Sequence, residues 1–280
     1  MTGLGIIDAH QHCWQLARPE CAWPTPELRA IYRDFGPEDF WREASPRGVV
    51  GSVLVQSQPN EADTRYLLTL AERWPSILGV VGWTDLARAT APGAVRALAQ
   101  TPWLKGLRPM LQALPADDWI LHQANPDALS TMAEQGLVFD ALVCPRHLPV
   151  LLALAHRHPD LTIVIDHGAK PDIAGGGLKG WQQALKALAA CPRVYCKLSG
   201  LATELAEGQS WEDLPPYIDS VLEIFGPGRV LWGSDWPVLN LAGDYTRWLA
   251  LAWHRVNACA PRQEAAIFRD NARRIYRLAL

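Results

Sequence analysis

No apolar stretch of this sequence approaches the roughly 20 residues that cross a bilayer, so a helical membrane span is not expected. No block of like charge stands out either. A formal net charge of −3 is spread over 280 residues, which excludes the basic footprint of a nucleic-acid binder and a polyanionic tail. The six cysteines, Cys13, Cys21, Cys144, Cys191, Cys196 and Cys259, form no C-x-x-C pair and read as reduced, mostly buried thiols. The opening Met1-Thr2-Gly3-Leu4-Gly5 has neither the charged nor the apolar region of a secretory signal, so a cytoplasmic location is expected. The partner left by these exclusions is a small neutral or anionic molecule. Oligomeric state stays open.

What the chain does have is core material, 49% of its residues being hydrophobic, arranged in short runs. Ile6-Ile7-Asp8-Ala9 is the first, Gly51 to Gln56 the second, Ile77 to Trp83 the third and Leu104 to Pro109 the fourth. Val138 to Val143, Leu161 to Gly168, Val194 to Ser199 and Arg229 to Asp235 follow. Helical patterns alternate with them: about 60–74, 92–100, from 126, 148–157, 179–190, 215–225, 245–256 and 262–277. Eight strands alternating with helices over this length predict a (β/α)8 TIM barrel in the α/β class, a single domain spanning 1–280. A doubly wound open sheet competes, but it usually carries a glycine-rich phosphate turn after its first strand; here that strand runs into histidines. Residues from about 13 to 47 exceed an ordinary connection and read as a loop insertion that lids or walls a site. Three of the 13 tryptophans, Trp14, Trp23 and Trp41, fall in it, suiting a loop packed over a pocket or against another subunit.

Active sites of such barrels lie at the C-terminal strand ends, which directs the reading to the strand-final residues. These are His10 and His12, Gln56, Arg108, Asp140, His167 and Asp235. His10 and His12 are two apart on one strand and should share a face. With His167 and Asp235 they make a three-imidazole, one-carboxylate set suited to one divalent metal with an open position, zinc being the natural match. His122, His147, His156, His158 and His254 fall in loops or helices and read as surface or packing residues.

His10-Gln11-His12 after Ile7-Asp8, Asp166-His167-Gly168 and Gly233-Ser234-Asp235-Trp236-Pro237 resemble the motifs of the amidohydrolase superfamily. Together with Lys105 to Pro109, Phe139-Asp140, Lys197-Leu198-Ser199-Gly200 and Asn271 to Tyr276, they resemble its second family, in the branch of sugar lactonases and 2-pyrone-4,6-dicarboxylate lactonase. The resemblance covers about Ile6 to Tyr276. It implies that His10, His12 and His167 surround a metal position and that Asp235 is the acid/base. Binuclear members bridge two metals with a modified lysine; Lys105 should face away from Arg108 on a regular strand, so two metals are not expected. The branch also includes lactonases that work without a metal.

The expected reaction is the opening of an L-fucono- or L-rhamnono-lactone-like substrate, a step of carbohydrate metabolism. Asp235 takes a proton from the attacking water and later returns it to the departing ring oxygen. Arg108 suits the oxyanion or a substrate carboxylate, or else an ion pair with Asp140. Trp14, Gln56, Arg108 and Asp140 are the candidate substrate-binding residues. The alternative on the same barrel is a metal-dependent decarboxylase of an aromatic or unsaturated acid, and a non-catalytic binding barrel is a third reading.

Overall fold

The computed structural model describes residues 3–279; Met1, Thr2 and Leu280, part of the expected leaderless start and of the 1–280 span, lie outside the described residues. Eight parallel strands follow one another round the sheet in chain order. They are β1 Ile6–Gln11, β2 Val49–Val55, β3 Ile77–Gly82, β4 Leu104–Leu107, β5 Val138–Ala141, β6 Ile163–Ile165, β7 Val194–Leu198 and β8 Val230–Trp232. The intervening helices are α1 Pro37–Ala44, α2 Glu61–Arg73, α3 Ala91–Ala99, the single turn α4 Trp119–His122, α5 Pro126–Gln135, α6 Leu148–Arg157, α7 Leu178–Ala189, α8 Pro215–Phe225 and α9 Tyr245–Cys259. A short α10, Asn271–Ile275, ends the series. This is the expected barrel, nearly closed.

Alternation along each strand splits the core in two. Ile7, Ala9, Val53, Val55, Val81, Val138, Val164 and Leu231 fill the barrel interior, where Ala272, Ile275, Tyr276 and Leu278 plug the end away from the strand C-termini. Ile6, Leu54, Val80, Phe139, Ile163, Cys196 and Trp232 face outward into the larger layer shared with the helices. Among the described residues no helix is long and apolar enough to cross a membrane.

The seam between β8 and β1 closes above the last ladder residues. Asp235 N–H donates to His10 O and His12 N–H to Trp236 O, both at 2.8 Å. Below them a side chain completes the join: Asp8 accepts from Ser234 N–H and from the Tyr245 hydroxyl, each at 2.9 Å. Burial pushes the Asp8 carboxyl up to about 6 against these bonds.

Three segments differ from the sequence reading. Within the stretch expected to be irregular, Pro37–Ala44 forms α1, with proline in its first turn, Glu38 and Asp39 near its positive end and Phe40 and Ala44 buried. The final helix, expected over 262–277, forms over the shorter stretch 264–275 and is of π type at Ala266–Asp270 before it runs into α10. The sixth strand stops at Ile165 rather than running to Gly168, because the next residues enter a left-handed turn. The part of the first loop before α1 is pinned by aromatic packing. Trp14 and Phe35 exchange backbone bonds at 3.0 Å, and Trp14 meets Trp23 edge-on at 5.2 Å between ring centroids. Phe35 meets Trp236 in the same way, tying the loop to the seam.

Candidate active site

His10 and His12 reach the barrel mouth through an irregularity in β1. The register shifts between Asp8 and Gln11, as a bulge does when it re-aims side chains. Ile7 and Ala9 lie in the interior cluster, Gln11 donates outward to Ser52 Oγ, and His10 still points inward. The Nε2 atoms of His10 and His12 are 3.1 Å apart. Asp235 Oδ1 lies 3.2 Å from His12 Nε2, 3.5 Å from His10 Nε2 and 3.9 Å from His167 Nε2.

The outer ring atoms decide what the inner ones offer. A carbonyl can only accept, so His12 Nδ1 donates to Val55 O at 2.8 Å, and the Nε2 of the neutral ring turns a lone pair to the centre. His167 Nδ1 is held by Ser199 Oγ at 2.9 Å, which again directs Nε2 inward. A lone pair facing a buried carboxylate oxygen needs a proton or a cation between them. A tetrahedral ion with arms of about 2.0–2.1 Å spaces its ligands about 3.3–3.4 Å apart, close to the distances among His10, His12 and Asp235. Among the described residues, two groups have ligand atoms close enough to share a metal ion, His10–His12–Asp235 and His10–Asp166–His167.

His167 is presented by strained backbone. His167, Gly168, Ala169 and Lys170 all have positive φ, between 49° and 62°, and Lys170 N–H closes the turn on His167 O at 2.8 Å. A left-handed conformation costs roughly 1–2 kcal/mol at each non-glycine residue, the kind of strain that functional sites retain. Asp235 shares it, with φ 59°. Gly200 makes room: at φ +61° it leaves the space where a Cβ would stand 2.3 Å from His167 Nδ1.

Beneath the histidines a column of charge fills the barrel. Lys197 Nζ lies 2.5 Å from Asp140 Oδ2, 3.0 Å from Asp166 Oδ1 and 3.3 Å from His10 Nδ1. The Tyr276 hydroxyl reaches up from the floor to both Asp140 oxygens at 2.9 Å. Arg108 donates Nη1 to Asp166 at 3.3 Å and Nη2 to Gln56 O. Burial and then the Lys197 charge hold the His10 imidazole well below its ordinary range, and burial brings His167 down to about 4 against the pull of Asp235 and Asp166. Burial alone would raise the Asp235 carboxyl; His167, the His12 hydrogen bond and His10 outweigh it and hold it below the usual carboxylate value. At neutral pH the centre therefore pairs an ionised Asp235 with neutral His10 and His167.

A cavity of about 390 Å³ opens above, lined by His12, Arg108, His167 and Asp235 together with Trp23, Gln58 and Lys170. That size suits a small-molecule ligand. Of the residues expected to touch substrate, Arg108 lines it, but Trp14, Gln56 and Asp140 do not. Trp14 is buried behind Trp23, its indole donating to Arg33 O at 2.8 Å. Gln56 is buried and braces Arg108 through a 2.8 Å bond to its carbonyl. Asp140 sits lower in the barrel with both oxygens taken, so Arg108 pairs with Asp166 rather than with Asp140. Lys105 points away, its ammonium 3.4 Å from Arg277 O.

Asp166, Lys197, Ser199 and Lys170 received no role from the sequence. Lys197 carried a signal, since a lysine inside the apolar run Val194 to Leu198 has to meet a buried anion. The turn that brings Lys170 to the cavity had none.

The family model described as amidohydrolase matches residues 7–278. An L-fucono-1,5-lactonase of Burkholderia ambifaria is 48% identical over 276 aligned residues, covering 97% of this chain and 95% of that protein. A second L-fucono-1,5-lactonase, from Burkholderia multivorans, is 33% identical over 293 aligned positions, covering 97% and 96%. The crystal structure of an amidohydrolase from Burkholderia multivorans with bound zinc superposes with a TM-score of 0.89 at 31% identity, over 98% of this chain and 100% of that one.

Proposed function

From the premise that this chain belongs to the amidohydrolase family, we propose that it is a lactonase, opening a sugar-derived lactone of the L-fucono- or L-rhamnono-lactone kind to the hydroxy acid. The observation that carries the reading is the Asp235 carboxyl group ringed by His10, His12 and His167 at the floor of a cavity. The 48% identity to a protein named L-fucono-1,5-lactonase supports the substrate class.

Water seated among His12, His167 and Asp235 gives a proton to Asp235 as it attacks the ring carbonyl, and the protonated Asp235 returns it to the ring oxygen as that bond breaks. Arg108, fixed by Asp166 and Gln56, presents a permanent positive charge to the developing oxyanion. Trp23 of the wall offers a ring face, and Ser57, Gln112 and Lys170 of the lining offer partners for hydroxyls, in place of the substrate contacts expected of Trp14, Gln56 and Asp140. His10, His12, His167 and Asp235 would hold one divalent metal, with zinc the best match to this donor set. When bound, the ion polarises the carbonyl and lowers the pKa of water. The same reading takes the chain as one barrel domain acting in the cytoplasm on a small molecule.

The test is acid release, followed with a pH indicator in weak buffer, when purified protein meets a panel of aldono-1,4- and 1,5-lactones with and without chelator. Rapid release from L-fucono- or L-rhamnono-lactone is expected, and silence across the panel refutes the activity. Metal analysis of the purified protein and of the double variant His10→Ala/His12→Ala reads the metal site directly; equal zinc in both would remove these histidines as ligands.

A further inference from the structure

Two cations line the cavity among the described residues, Arg108 and Lys170, and neither is free. Arg108 spends Nη1 on Asp166 and Nη2 on Gln56 O. Lys170 Nζ lies 2.6 Å from Glu204 Oε1, with both side chains 22% exposed. Each partner of that second pair stands on fixed backbone. Lys170 closes the left-handed turn after β6, and Glu204 ends the turn Ala202–Glu204, which is stitched by Glu204 N–H to Leu201 O at 3.1 Å and Thr203 Oγ1 to Gly200 O at 2.9 Å. Arg108 is already committed to Asp166 and, in the reaction, to the ring carbonyl, which leaves Lys170, among the described lining residues, as the side-chain cation that could serve an acid group elsewhere on a substrate, and Glu204 holds it. A carboxylate or sulfonate on a substrate would therefore find that side-chain counter-charge already paired. An uncharged lactone loses nothing, because its hydroxyls can use the remaining ammonium donors together with Ser57 and Gln112 of the wall.

We infer that the Lys170–Glu204 ion pair is a charge filter at the mouth, in which Glu204 masks Lys170 so that the site takes uncharged sugar lactones and rejects lactones that carry an acid group. Selection then comes from withholding a counter-charge rather than from a contact made only with the favoured substrate. Both residues are specificity determinants; neither takes part in the proton transfers. The inference deepens the lactonase reading and rests on it for its kinetic arm alone.

The experiment compares one neutral lactone, L-galactono-1,4-lactone, with one acidic lactone, D-glucaro-1,4-lactone, in wild type, Glu204→Gln, Glu204→Ala and the double variant Glu204→Gln/Lys170→Met. Removing the Glu204 charge raises the acidic-to-neutral ratio of kcat/KM about five- to tenfold, as expected for one partly exposed charge-assisted contact. Adding Lys170→Met returns the ratio to its wild-type value. Glu204→Ala moves the ratio in the same direction as Glu204→Gln, which separates charge from shape. An unchanged ratio in both single variants, or a rise that survives loss of the Lys170 ammonium, overturns the inference. If wild type opens no lactone at all, the proposed activity fails and calorimetric binding of D-glucaro-1,4-lactone decides instead. Binding at least fivefold tighter in Glu204→Gln than in wild type supports the filter, and equal binding, or none to either, overturns it.

Discussion

Replacing Lys197 with methionine keeps most of the side-chain volume and deletes the cation on which two buried carboxylates depend. Lys197, Asp140 and Asp166 have no solvent-exposed side-chain surface, and the ammonium lies 2.5 Å and 3.0 Å from the two acids. Removing one partner from a buried ionic cluster costs about 3–5 kcal/mol, because the remaining charges are left uncompensated. For a chain of this size that lowers Tm by roughly 10 °C. The loss has a pH signature. Burial already pushes the Asp140 carboxyl up to about 6 against the pull of Lys197, and without the lysine it rises further. A carboxyl with a raised folded-state pKa takes up a proton on folding at low pH, and that stabilisation disappears as pH rises through the raised value. The deficit of Lys197→Met is therefore smaller near pH 5 than at pH 8. Adding Asp140→Asn, which removes one of the orphaned charges, recovers at least about 2 kcal/mol. Urea unfolding followed by tryptophan fluorescence reads all three quantities. A loss below about 1 kcal/mol that is independent of pH would refute the view that the column is held by its charge.

Asp235→Asn is expected to lower kcat on a good lactone by about 10²- to 10⁴-fold with the fold intact by circular dichroism; turnover near wild type would remove Asp235 from proton transfer. With His167 brought down to about 4, protonation of that ring places its positive charge beside Asp235 only below that pH. The acid limb of kcat/KM therefore falls near or below pH 4, and a stopped-flow profile that breaks near 6.5 instead would show an imidazole with ordinary basicity in control. Gly200→Ala adds a Cβ against His167 Nδ1 at a left-handed position, and displacing that ring should cost roughly 100-fold in kcat/KM. Steady-state rates within threefold of wild type would show that the ring is not held where the reaction needs it.

The barrel was legible because eight runs of Val, Ile and Leu are hard to place otherwise, and most helices lie within a residue or two of their expected limits. The first helix was missed although Gly36-Pro37-Glu38-Asp39 carries a helix-start signal, because a tryptophan-rich stretch drew the whole segment into one loop. That His10 and His12 share a face followed from alternation. Which face did not: strict alternation from Ile7 and Ala9 would have turned both histidines outward, and the bulge that corrects this depends on pairing with β2. The strand-end rule found the polar groups at the mouth but could not rank them by depth. Asp140 and Gln56 have the right residue types, yet both Asp140 oxygens are committed to Lys197 and Tyr276, and the Gln56 amide nitrogen is committed to the Arg108 carbonyl. Lys170 was out of reach for a different reason, since four successive left-handed residues have no periodic signature.

The seam also has a consequence for how the protein fails. Its backbone bonds join Asp235 to His10 and His12 to Trp236, so the last stave of the barrel is latched through the residues that form its reactive centre. Opening that latch separates Asp235 from two of its three imidazoles while the other seven strand pairings stay intact. Loss of activity on warming should thus precede loss of helical signal. In hydrogen exchange the amides of His12 and Asp235 should open together, before those of β5 to β7, which makes the working centre a gauge of barrel breathing.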